Sequence, residues 1–434
     1  MIEVRGTADF LACIEQLLDS DREELMIATT HAGFNPHWLV LAADARLATD
    51  SEVRRDLHGL HWSGELTSEL YAQARLHSGG VLLAHAHHGS GRPPGLSMTD
   101  TSTVDEILPH LGSLLPDALH AYLVFNKTHA TGWVQHGVHR RALGLVRVAG
   151  CPIRRWPSSF EAAHELRDRD DRQAGALGDA GVALLRTAKI GIVGLGGAGS
   201  QVNEMLAHAG VAMTVLADRD VVKDVNLSRT HGTRPNTIGN PKVEVARDLF
   251  TSILPDADVI AIRDDFPTST LLSEFRDVEV IVACVDNVHA RNELNRFCLR
   301  YGIPLVDVGT TITRGPLQID GHLTRFVPGS QCLQCAGHVT EGLLAEEAEH
   351  ARQGKYGVNS RRPQVVSFNG LLASAAVTEV IRIVTGFDEQ VSSSREWHYD
   401  GVRGELRSVS LGDHPCHACV SYALLGDAMP APDD

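Results

Sequence analysis

Four cysteines stand in two short pairs, Cys332-Leu-Gln-Cys335 and Cys416-His-Ala-Cys419. Each pair can give two thiolates to one ion. Two pairs make a closed tetrahedral Zn(Cys)4 site, which clips the chain together and keeps no open position for chemistry. A second constellation is the turn Gly194-Leu-Gly196-Gly197-Ala-Gly199, between an apolar run and a helical pattern. Glycines there let backbone N–H groups approach a phosphate at a helix N-terminus, and Asp218, ending the next apolar run, could hold ribose hydroxyls. By itself such a turn suggests an NAD-dependent oxidoreductase. Three further stretches redirect it: Asn226-Leu-Ser-Arg229, Ile238-Gly-Asn-Pro-Lys242, and Asp286-Asn287 followed by Arg291 and Asn295. Arg and Lys can neutralise β- and γ-phosphates and Asp can hold Mg2+, which suits ATP and has no use at a dinucleotide.

The third constellation is His85-Ala-His87-His88 at the end of an apolar run, with Ser97-Met-Thr-Asp100 downstream. Two histidines one residue apart at a strand end project to the same side. An aspartate completes three protein ligands and leaves a fourth position to water, the pattern of a catalytic zinc. Glu23-Glu24, just before another strand-like run, offers a carboxylate that could act as general base there.

These residues need a scaffold to position them. A chain of 434 residues with 43% hydrophobic and 21% charged residues has the composition of a globular protein of two to three domains. Lys+Arg of 39 against Asp+Glu of 54 gives a net charge of −15, which argues against non-specific binding to nucleic acid or anionic membrane. The N-terminus has no basic region followed by an apolar run, and no uncharged apolar stretch approaches the roughly 18 residues of a membrane span, so the expected location is the cytoplasm. In a reducing compartment paired cysteines read as metal ligands rather than disulfides.

Residues 1–150 predict an α/β domain. Its helices are expected at Asp9–Leu18, Ser68–Leu76 and Thr103–Leu108. Its strands are expected at Leu25–Thr30, Trp38–Ala43, Val81–His85, Ala121–Asn126 and Gly144–Val148. Residues 151–180 read as a linker and first helix, with the mixed-charge run Arg167–Arg172 solvated. Residues 181–422 alternate strand and helix: strand Lys189–Gly194, helix Gly199–His208, strands Met213–Asp218, Val259–Ile262 and Val278–Cys284, a helix from His289, strand Pro304–Val308 and a last helix Leu371–Val384. This alternation predicts a parallel, doubly wound, Rossmann-like sheet, and residues 423–434 a flexible tail. Cys284 and Cys298 read as small buried hydrophobes.

Over about residues 165–422 these motifs resemble the ThiF/MoeB/HesA family, the adenylating module shared with ubiquitin-activating enzymes. The resemblance implies an ATP-binding fold in which Gly194, Gly196, Gly197 and Gly199 cradle phosphates and Asp218 binds ribose. Asn226, Arg229 and Lys242 would contact the phosphates, and Asp286 would hold Mg2+ and the adenylate. Arg172, in Arg172-Gln173, matches an arginine given across a homodimer interface. The implied reaction is attack of a protein's C-terminal carboxylate on the α-phosphate of ATP, giving an acyl-adenylate and pyrophosphate. Family members that go on to a thioester carry a cysteine after the first pair, and Ala336 to Phe368 holds none. The expectation is an adenylate-only enzyme, or one whose partner supplies the thiol.

Over about residues 5–145 the chain resembles the JAB/MPN metalloprotease family, which cleaves isopeptide bonds after ubiquitin-like proteins. The family pattern is a Glu, then His-x-His-Pro, then Ser-x-x-Asp; here His88 replaces the Pro and the loop to Ser97 is longer. The resemblance implies His85, His87 and Asp100 as zinc ligands, Ser97 as oxyanion support, and Glu23 as base, with Glu24 the alternative. Both resemblances together imply a bacterial-type ubiquitin-like modification enzyme, of a kind linked to antiphage defence. Its partners would be a ubiquitin-like protein with a Gly-terminated tail and a conjugating enzyme. The rival expectation is an adenylating enzyme for sulfur transfer or peptide modification, with an inactive N-terminal domain used for binding or dimerisation.

Overall fold

The computed structural model describes residues 2–33, 37–56, 59–76, 78–89, 91–160, 167–313, 315–353, 363–388, 393–411 and 416–428. The chain divides into two units: Met1–Ala163 with Arg300–Gly302 and the residues from Tyr422 on, and His164–Leu299 with Ile303–Ser421.

The first unit runs β1 (Glu3–Gly6), α1 (Ala8–Asp19), β2 (Met26–Gly33), β3 (Leu39–Leu47), β4 (Val53–Asp56), β5 (Gly59–Trp62), α2 (Gly64–Leu76), β6 (Gly80–Ala86), α3 (Met98–Leu114), β7 (Leu119–Phe125), β8 (Ala130–His136), β9 (His139–Ala142), β10 (Leu145–Val148) and β11 (Arg154–Pro157). β4 and β5 form a separate hairpin. The other strands make one nine-stranded mixed sheet in the order β11-β10-β1-β3-β2-β6-β7-β8-β9. β6 and β7 are buried at every position and pair in parallel, as central strands covered on both faces must be. The two-residue alternation along each strand feeds two cores. Leu82, Ala84, Ala121 and Leu123 pack with Phe10, Ile14 and Leu17 of α1. Val81, Leu83, Tyr122 and Val124 pack with Leu66 and Leu70 of α2 and with Val104, Leu108 and Leu111 of α3.

Two boundaries differ from the sequence-based expectation. The N-terminal domain does not stop at residue 150, because β11 adds to the sheet with Val146 opposite Trp156. The residues after Tyr422 are not wholly irregular, since Gly426–Ala428 forms a 3-10 turn; residues 429–434 lie outside those described.

The second unit runs α4 (Asp171–Thr187), β12 (Lys189–Val193), α5 (Gly197–His208), β13 (Met213–Ala217), α6 (Lys242–Ile253), β14 (Asp258–Ile262), α7 (Ser269–Phe275), β15 (Val280–Ala283), α8 (Val288–Tyr301), β16 (Leu305–Thr313), β17 (Gln318–Phe326), α9 (Glu341–Arg352), α10 (Val366–Thr385), β18 (Arg395–Asp400), β19 (Glu405–Val409) and α11 (His417–Ser421). Its eight strands lie in the order β14-β13-β12-β15-β16-β17-β18-β19. β14 to β16 are parallel, as the alternating pattern predicts, but β17, β18 and β19 continue the sheet antiparallel. The sheet is therefore mixed rather than wholly parallel. The charge run Arg167–Arg172 is exposed, as expected, at every position but Asp170. Asp170 is buried beside Arg186 at 3.1 Å, and Arg167 donates to Asp256. α10 has the length and mean hydropathy of a membrane span, yet it carries Glu379, which accepts from the buried Arg325 at 2.5 Å, and half of it is buried in the unit.

Candidate functional sites

β12 lies between β13 and β15, so strand order reverses there, the point of such a sheet where ligands are expected beyond the C-terminal strand ends. The glycine turn occupies that point. Gly194 leaves β12 with φ 88°, and a Cβ there would stand 2.6 Å from the Cys284 carbonyl oxygen. A Cβ on Gly199 would stand 1.9 Å from the Gly194 carbonyl oxygen, and one on Gly197 2.1 Å from Asn369 Nδ2. Only at Gly196, the N-cap of α5, would a Cβ meet nothing within 4 Å. Packing thus dictates three of the four predicted glycines. The fourth leaves the helix N-terminus open, with its partial positive charge available to an anion.

Asp218 directly follows β13. Its Oδ2 accepts from Leu195 N at 2.7 Å and its Oδ1 from Asp220 N at 2.8 Å, so it clamps the glycine turn. Lys242 opens α6, nearly buried, with Nζ 2.8 Å from Asp220 Oδ2 and 3.6 Å from Asp218 Oδ2. Burial pushes the Asp218 carboxyl up, against the pull of Lys242. Burial also raises Asp220, but the Lys242 hydrogen bond outweighs it and holds that carboxyl low. Phosphate oxygens would compete with Asp220 for this ammonium. Asn226 is buried and its Oδ1 accepts from Lys223 N at 2.8 Å, closing a 3-10 turn. Arg229 donates through Nη1 to Val225 O at 2.8 Å, while its buried Nε has no hydrogen-bond partner among the described residues. An orphaned guanidinium donor is costly unless an acceptor arrives, and so fits an anionic ligand.

Asp286 is exposed in the loop from β15 to α8. Val193 pairs with Ala283, so this loop leaves the sheet beside the glycine turn, and Asn287 Oδ1 caps α8 through Ala290 N at 2.7 Å. A carboxylate there is a suitable hard donor for Mg2+. Arg172 is exposed in the first turn of α4, and among the described residues no hydrogen bond or ion pair joins it to the glycine turn. Sequence reasoning missed Gln201, whose Nε2 donates to Gly197 O and Val366 O, both at 3.1 Å, tying α10 to α5. No local pattern marks that residue.

The four paired cysteines meet. Cys332 Sγ lies 3.6 Å from Cys416 Sγ, Cys335 Sγ 3.6 Å from Cys419 Sγ, and Cys416 Sγ 3.7 Å from Cys419 Sγ. A tetrahedron with zinc–sulfur bonds of about 2.3 Å has edges of about 3.8 Å, so the donor set fits that ion. Asn295 of α8 supports the cluster, donating to Cys332 Sγ at 3.5 Å and accepting from Leu333 N at 3.1 Å. Of the other cysteines in this unit, Cys284 is half-buried just after β15 and burial pushes its thiol up to about 12. Cys298 is buried in α8 and held well above its ordinary value by burial. Neither is a ready thiolate.

In the first unit, alternation along β6 puts His85 on the face of Val81 and Leu83, the face covered by α3. Asp100 sits on the inner stripe of α3 with Val104, Leu108 and Leu111. The helix begins earlier than Thr103, because Ser97 accepts from Asp100 N at 3.1 Å and Asp100 Oδ2 accepts from Ser97 N at 2.7 Å, a capping box. His85 Nε2 lies 3.1 Å from His87 Nε2 and 3.2 Å from Asp100 Oδ1, and His87 Nε2 lies 3.4 Å from Asp100 Oδ2. Zinc bonds of about 2.0–2.1 Å require edges of about 3.3–3.4 Å, so this donor set also fits. Ser97 is exposed beside it, and its hydroxyl oxygen is occupied by the cap. Tyr122 of β7, not anticipated, donates to Asp100 Oδ1 at 3.0 Å and lies 3.4 Å from His85 Nδ1. Burial and the Asp100 charge push its hydroxyl well above the usual range, which keeps it a donor.

The two glutamates separate cleanly. Glu24 is buried and clamped by Arg22 Nε at 2.6 Å and Arg55 Nη2 at 2.5 Å. Glu23 is exposed, and its charge is felt by His87 and Tyr122. Glu24 is thus engaged by two arginines, and Glu23 is the exposed carboxylate of the pair.

A ThiF family model matches residues 170–420. The chain is 31% identical over 245 residues to the molybdopterin-synthase adenylyltransferase of Escherichia coli K12, covering 55% of this chain and 90% of that one. It is 27% identical over 218 residues to ubiquitin-like modifier-activating enzyme 5 of Dictyostelium discoideum, covering 47% and 55%. The fold is shared with a crystal structure of E. coli MccB with MccA-N7isoASN, at a TM-score of 0.51 and 21% identity over 58% of this chain and 75% of that one. The matched stretch takes in the glycine turn, the Lys242 site and all four paired cysteines, over more than half of the molecule, and the chain belongs to the ThiF family.

Proposed function

We propose that the second unit adenylates the C-terminal carboxylate of a ubiquitin-like protein, and that the first unit is a zinc metallopeptidase that trims or releases the same protein. The observation that carries the adenylation reading is the Asp218–Lys242 pair, with Asp218 bonded to Leu195 N at the turn that leaves the helix N-terminus open. These residues would supply ribose and phosphate contacts, with Arg229 as a further phosphate donor. The substrate carboxylate would attack the α-phosphorus; the bond to the oxygen bridging the β-phosphate breaks, and pyrophosphate leaves. A carboxylate needs no deprotonation, so positioning and charge neutralisation suffice without a general base. Asp286 would hold Mg2+, which neutralises phosphate charge when bound. Arg172, exposed on α4, is available to a second copy of the chain in a homodimer. With both other cysteines of this unit protonated, the acyl group ends as an adenylate or passes to a thiol on a partner such as a conjugating enzyme.

In the first unit His85, His87 and Asp100 would hold zinc, which lowers the pKa of a bound water. Glu23, which is exposed, would receive a proton, and the exposed Ser97 hydroxyl would donate to an oxyanion. The deciding experiment is ATP–pyrophosphate exchange. Exchange that depends on a Gly-terminated ubiquitin-like protein and is lost in Lys242→Met supports the reading. Exchange driven instead by a free peptide or a sulfur carrier moves the chain to that substrate class. Cleavage of a C-terminally extended ubiquitin-like protein, lost in His85→Ala, tests the first unit separately.

A further inference from the structure

Arg291 and Asp307 are buried in the second unit, Asp307 completely. Arg291 Nε donates to both Asp307 oxygens at 2.9 Å, while Nη2 donates to the carbonyl oxygen of Val285 at 3.0 Å. Val285 immediately precedes Asp286. The guanidinium therefore joins a carboxylate fixed in the middle of β16 to the backbone of the loop that bears the proposed Mg2+ ligand. The second face of Asp307 is held as well. His322 Nε2 lies 2.8 Å from Oδ2, and the ring fits opposite Gly309 in the β16–β17 register, where a Cβ would stand 2.2 Å from His322 Cε1. His322 stacks on His338 at 3.9 Å, and His338 in turn bonds Glu396 at 2.8 Å. A buried carboxylate locked from two sides is a rigid anchor, and the planar fork of arginine can transmit that rigidity to a second acceptor as lysine cannot.

We infer that Asp307 and Arg291 are positioning residues for adenylation: through the Val285 carbonyl they set the direction of Asp286 toward the nucleotide. The inference rests on the adenylation reading above. It separates from plain structural support because, among the described residues, no hydrogen bond or ion pair joins Arg291, Asp307 or His322 to the glycine turn, Asp218 or Lys242, so ATP binding without Mg2+ should change little.

The test compares wild type, Asp307→Asn and Arg291→Lys in the full chain. Arg291→Lys is the deciding variant, because it keeps the buried opposite charges but its compact ammonium lacks the planar fork that holds Asp307 and Val285 O at once. The expected result is a folded protein that binds ATP in Mg2+-free buffer within about 2-fold of wild type. Its exchange kcat falls about 10- to 100-fold and its half-saturating Mg2+ rises, the usual size of effect for residues that orient a ligand from behind. Rescue of neither parameter by added ATP completes the signature. Arg291→Lys exchanging at the wild-type rate with unchanged Mg2+ dependence overturns the inference and leaves the adenylation reading standing. A wild-type protein that neither binds ATP nor exchanges pyrophosphate overturns both.

Discussion

Gly199→Ala tests how the nucleotide site is built. The added Cβ would lie 1.9 Å from the Gly194 carbonyl oxygen and 3.2 Å from Cys284 Cβ. Cβ contacts under 3.0 Å essentially never occur, so α5 and the end of β12 must separate by at least about 1 Å. Both clashing groups are backbone, and no rotamer change can relieve them. The cost is then at the upper end for overpacking, about 3 kcal/mol. Up to about 1 kcal/mol returns from replacing a glycine inside a helix. A net loss of about 2 kcal/mol lowers Tm by about 4–8 °C in a unit of this size. ATP binding weakens as well, and the exchange rate falls by up to about 100-fold, the cost of a displacement of about 1 Å at a site that works by positioning. Gly196→Ala is the matched control, because its Cβ meets nothing within 4 Å. Its Tm stays within the scatter of surface substitutions, about 0.5 kcal/mol, while its methyl stands before the open N-terminus of α5 and weakens ATP binding. Thermal melts by circular dichroism and ATP titration calorimetry read both effects. Equal melting of Gly199→Ala and wild type, or equal losses in the two variants, refutes the packing argument.

Three further outcomes are expected. Burial pushes the Glu3 carboxyl up, but Arg147 and Arg5 outweigh it and hold it down to about 2. A depressed carboxyl stabilises the fold above its unfolded pKa of about 4.3, so about 3 kcal/mol is present at neutral pH and is lost as pH falls toward 2. Urea melts at stepped pH should show a shallower acid limb in Glu3→Gln, and an identical limb would count against the ion triad. Cys416→Ser with Cys419→Ser should remove one zinc per chain by elemental analysis and lower the melting temperature of the second unit; an unchanged zinc count would show that the cluster holds none. Tyr122→Phe removes the donor behind Asp100, and zinc affinity of the first unit, measured by chelator competition, should weaken about 10- to 100-fold.

What could be read from the sequence was what local pattern encodes. β6 is an apolar run buried on both faces that ends in its histidines, so both strand and site were visible. The glycine turn was equally clear, because a close approach of helix to strand admits nothing larger. The capping box at Ser97 and Asp100 was harder, since residues that read as candidates for chemistry also start the helix, and α3 begins ahead of the apolar periodicity. β17 to β19 escaped because partly exposed strands such as Gln318–Phe326 mix charged and apolar residues without a clean alternation. The choice between Glu23 and Glu24 depended on Arg55, far along the chain, and the burial of Asp170 on Arg186. Long-range ion pairs of this kind leave no spacing to recognise. The Asp307 anchor is the extreme case: in the sequence it is one polar residue inside an apolar run.

The four-thiolate cluster also sets an order of events during synthesis. Cys332 and Cys416 are 84 residues apart, and the first pair emerges from the ribosome well before the second. At roughly 5–20 residues per second, two matched thiols wait about 4–17 s for the pair that completes their coordination. Until then β16 and β17 must hold Cys332 and Cys335 on a partly built sheet, because β18 and β19 also follow them in the chain. Closing the cluster therefore joins segments 84 residues apart, and loss of the later pair would leave Cys332 and Cys335 without the two thiols they meet in the folded unit.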